Sequence, residues 1–323
     1  MSGEQWRPTA SAAVLRRRAE ALARTRQFFA ARGVLEVDTP VLVRHAVTDV
    51  HLHCAQVALP GADTPRFLQT SPEYAMKRLL AAGSGDIYQI AHVVRGEEQG
   101  RWHNPEFTLI EWYRLGWSMA ALMEEVARLV QTLLGEAAPA RVQFLRYDEA
   151  FQQLLGHSAL TSEDAELRAC AAAAGLTAHL AHSLDRDGLL DWLMATQVGP
   201  QLGRDALCFL HRYPASQAAL ARLDPHDARV ALRFELYCEG VELANGFEEL
   251  NDPAEQRARF ESDRCQRAQR ALPVPELDEN LLAALAAGLP ACAGVALGFE
   301  RVLMLAVGAA HIHAVMPFPS ERA

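Results

Sequence analysis

The strongest constraint on the fold is a pair of strand-like segments, residues 87–95 and 107–115, joined by a polar loop. The loop contains Gly96, Gly100 and the pair Asn104-Pro105. This pattern predicts a long antiparallel hairpin. Residues 230–239 alternate between apolar and polar side chains, as half-buried strands do. Because helical stretches separate these strands, the sequence predicts an α+β fold with a mainly antiparallel sheet flanked by helices.

The predicted helices are bounded by clear start and stop residues. Residues 11–32 predict a helix with Ser11 as its N-cap and Gly33 just past its end. A second helix begins at Ser71-Pro72-Glu73, because serine caps, proline suits the first turn and an acid favours the positive dipole end. We expect one domain over residues 1–323. Its other predicted elements are a strand at 34–38, an alanine-rich helical insertion at about 118–228, helices at 253–271 and 278–288, and a strand at 294–298 followed by a helix at 299–307.

The composition favours a soluble chain in a reducing compartment. No apolar run approaches the roughly 18 residues of a membrane span, and the N-terminus has no signal-peptide pattern. The six cysteines are scattered without a CxxC pair, which favours the cytoplasm over a disulfide framework. His51, His53 and Cys54 have metal-ligand chemistry, but no second ligand pair has matching spacing. We therefore expect a cytoplasmic protein and no metal at that cluster.

The charged residues limit how the chain can bind nucleotides or nucleic acids. The net charge of −9, from 31 basic and 40 acidic side chains, disfavours extended nucleic-acid binding. Lysine occurs once, at Lys77, and Met76 precedes it, so the phosphate-binding loop GxxxxGK[ST] is excluded. HExxH and a strand followed by GxGxxG are also missing. Any nucleotide must be held by another architecture.

One strand-like segment places a carboxylate on an apolar face. With a period of two, Phe107, Leu109, Glu111 and Tyr113 share one side of the strand. A carboxylate in that position is unfavourable unless it meets a cation. The alternative is an edge strand whose polar face is in water.

A second segment, residues 235–249, gathers acids on a strand and turn. Its glutamates are at positions 235, 239, 242, 248 and 249. Carboxylate oxygens of this kind suit Mg²⁺ that carries ATP phosphates. A solvated acidic turn is the alternative.

The third segment is the hairpin loop. Arg95 ends one predicted strand and could pair with a phosphate, while Phe107 begins the next and could stack on a base. On spacing alone this pattern is weakly specific.

Taken together, these segments resemble the class II aminoacyl-tRNA synthetases. Residues 29–40, with Gly-Val-Leu-Glu-Val-Asp-Thr-Pro at 33–40, resemble motif 1; residues 94–113 resemble motif 2 and residues 294–301 motif 3. His-Asn-Pro-Glu-Phe at 103–107 and Glu-Leu-Ala-Asn-Gly-Phe-x-Glu-Leu at 242–250 are similar to the lysyl branch. The resemblance implies a class II catalytic domain with a six- or seven-stranded antiparallel sheet, and a homodimer formed through motif 1.

The resemblance is closer still to truncated paralogues of the lysyl branch. Lysyl-tRNA synthetases carry an anticodon-binding OB-fold domain before motif 1, whereas here 28 residues precede it, so we expect no such domain and no tRNA anticodon recognition. The strings at 111–114, 214–218 and 294–298 are also similar to this group. The resemblance implies activation of (R)-β-lysine or lysine with ATP and Mg²⁺, and transfer to a lysine of elongation factor P. Transfer to tRNA, or an inactive regulatory paralogue, are the alternatives.

The resemblance also implies roles for individual residues in this sequence. Arg95 would hold the α-phosphate, Phe107 and Arg301 would stack on the two faces of adenine, and Arg95 and Arg301 would be the catalytic pair. In the rest of the ATP site, Glu97 and Asn104 would contact the adenine side, His103 would lie near the outer phosphates, and the lining would include Gly96, Leu243 and Gly298. Mg²⁺ would be bound by Glu235 and Glu242.

The resemblance implies a separate set of residues for the amino acid. Its site would include Ser71, Pro72 and Glu73, with Glu73 binding the amine, and Ala296 would form the pocket floor. The terminal ammonium would be surrounded by Glu111, Tyr113 and Glu249, and Asn245 would bind the carboxylate.

Three positions depart from the family pattern. Gly96 replaces the usual asparagine of motif 2, and Glu300 replaces an aspartate before the motif 3 arginine. Glu248 stands where the truncated group has histidine, and we expect it to add negative charge beside Glu249.

Overall fold

The computed structural model describes residues 6–61 and 64–323. In chain order, the first elements are α1 (Ala12–Ala30), β1 (Leu35–Glu36), β2 (Leu42–Val43), β3 (Gln56–Val57), β4 (Arg66–Leu68), α2 (Glu73–Ala81), β5 (Ile87–Val94) and β6 (Glu106–Leu115). The middle of the chain forms α3 (Met119–Leu134), β7 (Arg141–Arg146), α4 (Tyr147–Leu155), α5 (Asp164–Ala173), α6 (Ala178–Ser183), α7 (Arg186–Leu193), β8 (Ala206–Pro214), β9 (Leu223–Asp224), β10 (Asp227–Cys238) and β11 (Val241–Glu248). The last elements are α8 (Pro253–Gln269), α9 (Glu279–Gly288), β12 (Cys292–Gly298) and α10 (Phe299–Val307).

The chain divides into two compact units. The first unit comprises Met1–Trp117, Arg128–Ala138 and Asn251–Ala323, and the second comprises Ser118–Ala127 and Pro139–Leu250. Both units combine strands with helices, in agreement with the predicted α+β class.

In the first unit, the strand order is β1-β5-β6-β12. The predicted hairpin is confirmed: β5 and β6 pair antiparallel from Ile87 opposite Tyr113 to Val94 opposite Glu106. Strand β12 continues the antiparallel pattern on the other edge of β6, whereas β1 is parallel to β5. A small separate sheet has the order β2-β4-β3.

In the second unit, the strand order is β11-β10-β8-β7, with β9 paired to β10. Strands β7 and β8 are parallel, because the helices α4 to α7 form the crossover between them. Leaving aside β2, β3 and β4, these strand orders contain nine strands, so the expected number of six or seven was too low. The mainly antiparallel character is confirmed, with the β1–β5 and β7–β8 pairs as the parallel exceptions. Residues 118–228 are helical over much of their length, but they also carry β7, β8 and β9. The apolar run in β8 cannot be distinguished from a buried helix segment by periodicity alone.

The predicted helix boundaries agree with the structure to within a few residues. Helix α1 has Ser11 as its N-cap, with the hydroxyl accepting a hydrogen bond from the Val14 amide at 3.3 Å. Helix α8 is capped by Asp252, with Pro253 in its first turn. Helix α10 spans the predicted residues. Within residues 6–61 and 64–323, no helix combines the length and apolar character that crossing a membrane requires.

Aromatic side chains anchor the core of each unit. In the first, Phe29 of α1 stacks on Tyr88 of β5 with ring centroids 4.3 Å apart, and its centroid lies 5.3 Å from that of Trp112 of β6. In the second, Tyr147 and Phe151 of α4 stack at 4.8 Å. Burial of these large side chains fixes the strands whose polar residues form the candidate site.

A tight turn sets the register of β10 and β11. Cys238 pairs with Val241, and the two residues between them, Glu239 and Gly240, have φ angles of 52° and 73°. Two successive positive φ angles are typical of a type I′ turn, whose twist matches that of the strands. A Cβ atom on Gly240 would lie 2.7 Å from the Pro200 carbonyl oxygen, so a side chain at this position would clash. The glycine therefore keeps the acidic residues of the two strands in register.

Candidate functional site

The first group of functional side chains lies in the first unit and is called the Glu111 cluster: Ser71, Glu73, Lys77, Glu111 and Tyr113. Glu111 is 2% exposed, and its two oxygens accept hydrogen bonds from Ser71 Oγ at 2.8 Å and Tyr113 OH at 2.7 Å. Burial, followed by repulsion from Glu73, raises the pKa of Glu111 to about 7. A buried carboxylate held by two neutral hydroxyls is suited to receive a cation.

Helix α2 supplies the other charged members of the Glu111 cluster. The N-cap of α2 is Pro72 and not Ser71. The Ser71 hydroxyl nevertheless accepts a hydrogen bond from the Glu73 amide, the first of the helix, at 3.0 Å, so Ser71 contacts both the start of α2 and Glu111. One turn further on, Lys77 Nζ donates to Glu73 Oε1 at 2.7 Å. The structure thus brings the predicted residues Ser71, Glu73, Glu111 and Tyr113 together, and adds Lys77.

Strand β12 lies beside this cluster. Ala296 is directly opposite Glu111 in the β6–β12 pairing, and Gly294 is opposite Tyr113. Ala296 is half-buried and packs with Phe107 against a small apolar cluster that includes Leu109. Pro72 is buried at the start of α2. The register places Ala296 beside Glu111, and its role in an amino-acid site stays a prediction.

The hairpin loop between β5 and β6 places Arg95 next to Phe107. The Arg95 guanidinium lies 5.1 Å from the Phe107 ring centroid, and its Nε donates to the Thr70 carbonyl at 3.2 Å. The Gly96 amide donates to the His53 carbonyl at 2.7 Å, and a Cβ atom there would lie 3.2 Å from that residue. The asparagine usual at this position would crowd His53, which accounts for glycine. Glu97 has a φ of 64° and a mostly exposed side chain.

Arg301 of α10 contacts the same loop. Its Nη2 lies 2.7 Å from His103 Nε2, and its Nε lies 3.4 Å from the Trp102 carbonyl oxygen. Arginine can only donate, so His103 Nε2 accepts and the imidazole is neutral. Burial and the neighbouring Arg301 lower the pKa of His103, which agrees with this assignment. Of the two arginines predicted as the catalytic pair, Arg95 therefore lies in the loop and Arg301 contacts it.

Asn104 has a use that the sequence did not reveal. Its side chain is 2% exposed, Nδ2 donates to the Glu106 carbonyl at 2.6 Å, and Oδ1 accepts from both the amide and the hydroxyl of Ser320 at 3.1 Å. These bonds hold the loop against the segment around Ser320. Positioning of the loop thus accounts for Asn104, and its predicted contact with adenine stays a prediction.

The second group lies in the second unit and is called the Glu235 cluster: Arg233, Glu235 and Tyr237 of β10, with Glu242 and Asn245 of β11. Arg233 Nη2 donates to Glu235 Oε1 at 2.6 Å, and Tyr237 OH donates to Glu235 Oε2 at 2.7 Å. Arg233 Nε also donates to Asn245 Oδ1 at 3.3 Å. Because Glu235 is opposite Asn245 and Tyr237 is opposite Glu242, these side chains share one face of the strands.

Three more predicted residues lie close to these groups in sequence. Leu243 is buried between Glu242 and Asn245 on β11, and Glu249 is 3% exposed just after β11 ends. Gly298, at the end of β12, is opposite Leu109 of β6.

Besides Gly96, the other two departures from the family pattern also have structural explanations. Glu300 is 2% exposed; it accepts from the Thr108 amide at 2.9 Å and pairs with Arg18 at 2.8 Å. Glu248 pairs with Arg222 and accepts from the Met119 amide at 3.1 Å. The charge expected beside Glu249 is therefore balanced by Arg222.

Some of the contacts that were not predicted correspond to spacing patterns in the sequence. Glu73 and Lys77 are four residues apart on a helix, a spacing that brings opposite charges together. The alternation predicted for residues 230–239 already places Arg233, Glu235 and Tyr237 on one face, although the contacts among them were not predicted. The pairing of Arg18 with Glu300 joins residues far apart in sequence, and no local pattern predicts it.

The residues present fit Mg²⁺ and ATP. Glu235 and Glu242 offer hard oxygen donors on one face, and a carboxylate that accepts two hydrogen bonds retains further lone pairs. Over the parts of the chain that the structure describes, no three acidic, histidine or cysteine side chains gather as a metal site. Mg²⁺ commonly binds one or two carboxylates and completes its shell with phosphate oxygens and water. Arg95, Phe107 and Arg301 supply the cations and the aromatic face that a nucleotide requires.

Sequence similarity to known proteins extends over the whole chain. The family model for tRNA synthetases class II (D, K and N) matches residues 5–322. The elongation factor P–(R)-β-lysine ligase of Vibrio cholerae is 48% identical over 327 residues, which is 100% of both chains. Proteins of the same name from Vibrio parahaemolyticus and Klebsiella pneumoniae are 50% and 48% identical, and each alignment covers at least 97% of both chains. The chain therefore belongs to the class II tRNA synthetase family of the D, K and N type.

Proposed function

We propose that this protein is an ATP-dependent, AMP-forming ligase that activates (R)-β-lysine or lysine and transfers it to a lysine side chain of elongation factor P. The observation that carries this proposal is the Glu111 cluster, a buried carboxylate held by Ser71 and Tyr113 in a form suited to an ammonium. The names of the full-length relatives support the same substrate and acceptor.

The nucleotide would be held by residues of the hairpin loop and α10. Arg95 is assigned to the α-phosphate, with Phe107 and Arg301 on the two faces of adenine. Activation needs no covalent enzyme intermediate: the amino-acid carboxylate attacks the α-phosphorus and pyrophosphate leaves. Arg95 stabilises the negative charge that develops on the α-phosphate oxygens. Mg²⁺, bound by Glu235 and Glu242, would neutralise charge on the phosphates.

The amino acid would be recognised by several carboxylates and one amide. Glu111 and Glu249 are assigned to the terminal ammonium, Glu73 to the other amine and Asn245 to the carboxylate. Arg233 donates to Asn245 Oδ1, which turns the Asn245 amide nitrogen towards other partners and supports its role as a donor to the substrate.

The acceptor is assigned as a protein lysine, not tRNA. The net charge of −9 provides little of the basic surface on which tRNA binding depends. An acceptor lysine amine, with a free pKa near 10.4, must lose a proton before it attacks the acyl carbon and AMP leaves. Retention of Arg95, Glu235 and Arg301, each held by a hydrogen bond within its own unit, argues against an inactive regulatory paralogue.

The test of this function follows both half-reactions. Pyrophosphate exchange should require Mg²⁺ and a lysine isomer, and mass spectrometry should show one added lysyl group on a single lysine of elongation factor P. Efficient charging of tRNA with unmodified elongation factor P would favour the tRNA alternative. No exchange with any lysine isomer would favour the regulatory paralogue.

The choice between isomers is assigned in part to Ala296. Ala296 lies on β12 opposite Glu111. Lysyl-tRNA synthetases, which this chain resembles, carry glycine at the matching position. A methyl group in a pocket discriminates by roughly 1–3 kcal/mol. Ala296→Gly should therefore raise the use of α-lysine relative to (R)-β-lysine in pyrophosphate exchange. An unchanged ratio would assign the methyl group to packing alone.

A homodimer in the cytoplasm completes the proposal. Leu35, Val41 and Leu42 in the motif 1 region are 54%, 44% and 36% exposed, and exposed apolar side chains that cluster in sequence favour an interface. The six free cysteines fit a reducing compartment. Sedimentation at micromolar concentration should give twice the monomer mass, and Leu35→Glu should reduce it to the monomer mass.

A further inference from the structure

Lys77 is the one lysine of the chain, and it is buried. Its side chain is 2% exposed, in the middle of α2, with Nζ 2.7 Å from Glu73 Oε1. The Glu73 side chain is 16% exposed. None of the roles assigned so far requires Lys77.

A buried ammonium is an unusual choice for a purely structural position. Removing a charge from water is unfavourable, and the attraction of the Glu73 carboxylate only partly offsets this. An apolar side chain of similar volume would serve packing at least as well. The Lys77 ammonium would also repel an ammonium substrate bound nearby, unless the Glu73 carboxylate neutralises its charge.

We propose that Lys77 is a positioning residue for the amino acid: its ion pair fixes the Glu73 carboxylate and leaves Glu111 as the net negative charge of the cluster. The Glu73–Lys77 pair is neutral as a whole, so the cluster presents one net negative charge to an incoming ammonium. This inference rests on the proposed function, because it assumes that Glu73 and Glu111 bind the substrate amines.

The groups around Glu111 make the inference testable by pH. From α2 it faces the charges of Glu73 and Lys77, and from β6 the phenol of Tyr113. Its neighbours in register, Gln89 on β5 and Ala296 on β12, are neutral. Glu73 raises the pKa of Glu111 and Lys77 lowers it, so loss of Lys77 would leave two carboxylates repelling each other. A protonated Glu111 cannot form an ion pair with the substrate.

The experiment measures the affinity for lysine isomers between pH 5.5 and 9 by calorimetry, with pyrophosphate exchange as a second readout. In the unchanged protein, affinity should fall as the pH drops through about 7, the pKa of Glu111. In Lys77→Met the inflection should move up by about one pH unit, which weakens binding at pH 7 by up to about tenfold. Lys77→Arg should restore the original inflection.

Matched variants separate positioning from stability. The double variant Glu73→Gln/Lys77→Met removes both charges, so its inflection should return towards that of the unchanged protein although its affinity stays low. Thermal unfolding monitors the fold of each variant. If Lys77→Met lowers stability but leaves the inflection in place, the residue is structural and the inference is wrong. If the unchanged protein binds and activates no lysine isomer, the proposed function has failed instead.

Discussion

The Glu111 and Glu235 clusters use the same kind of side chain in opposite ways. Glu111 accepts hydrogen bonds from two neutral hydroxyls, and burial raises its pKa to about 7. Glu235 accepts from one tyrosine hydroxyl and from the guanidinium of Arg233, so it already has a cation. Each carboxylate lies on a buried strand face, and each contacts a tyrosine two residues along the chain.

The difference teaches how an acidic site can be tuned by its nearest donors. A carboxylate held by hydroxyls gains much when an organic cation arrives, because no protein cation has to be displaced. A carboxylate paired with arginine is stable without ligand, and a divalent ion must then share it. The first arrangement favours selection of an ammonium, and the second favours a preformed acidic site for phosphate-bound Mg²⁺.

The largest expected effect comes from removing the cation of the Glu235 cluster. Arg233→Met leaves Glu235 with its charge largely buried, so the free energy of unfolding should fall by about 3–5 kcal/mol in urea denaturation. The double variant Arg233→Met/Glu235→Gln should recover a large part of the loss, because the unpaired charge is gone. A single variant as stable as the unchanged protein would break the contrast between the clusters.

A smaller effect is expected when the charge of Glu111 is removed. Glu111→Gln keeps the size of the side chain but not its charge, so lysine affinity should fall about ten- to a hundredfold while ATP affinity changes little. Calorimetric titrations with each ligand separate the two effects. Glu248→Gln is the control, since Glu248 pairs with Arg222 and should leave both affinities near those of the unchanged protein. Equal losses for lysine and ATP would mean that Glu111 is misassigned.

The smallest effect concerns stability without ligand. The pKa of Glu111 is about 7 in the folded protein and near 4.5 in an exposed side chain, so its ionisation destabilises the fold as the pH rises from about 4.5 to 7. This group's stabilising contribution is thus complete below pH 4.5 and lost above pH 7. Relative to the unchanged protein, Glu111→Gln should gain about 2 kcal/mol between pH 4.5 and 6.5. Parallel unfolding curves for both proteins across that range would contradict the raised pKa.

Local patterns predicted the parts of the fold that depend on neighbouring residues. The β5–β6 hairpin, the Ser11 cap and helix α10 follow from period, capping and turn residues within short stretches. The parallel β7–β8 pair did not, because its two short strands are joined by a long helical crossover. Pairing of strands far apart in sequence depends on packing that a single local pattern does not contain.

The candidate site shows the same division. The residue types of the Glu111 cluster were predicted from the resemblance, and Ser71, Glu111 and Tyr113 do meet in the structure. The sequence did not predict which residues bind these charged and polar side chains. Asn104 binds the segment at Ser320, and Glu300 pairs with Arg18, in both cases across long stretches of chain. Spacing identifies reactive groups more easily than it identifies what holds them.

Because Lys77 is buried, the lysine side chain of this protein is poorly accessible to reagents that modify amines. Reagents that acylate exposed ε-amines, such as succinimide esters, find no other lysine in the sequence, and Lys77 is 2% exposed. In a mixture with an acceptor protein, a lysyl adduct on a peptide containing lysine can therefore be assigned to the acceptor with very little background.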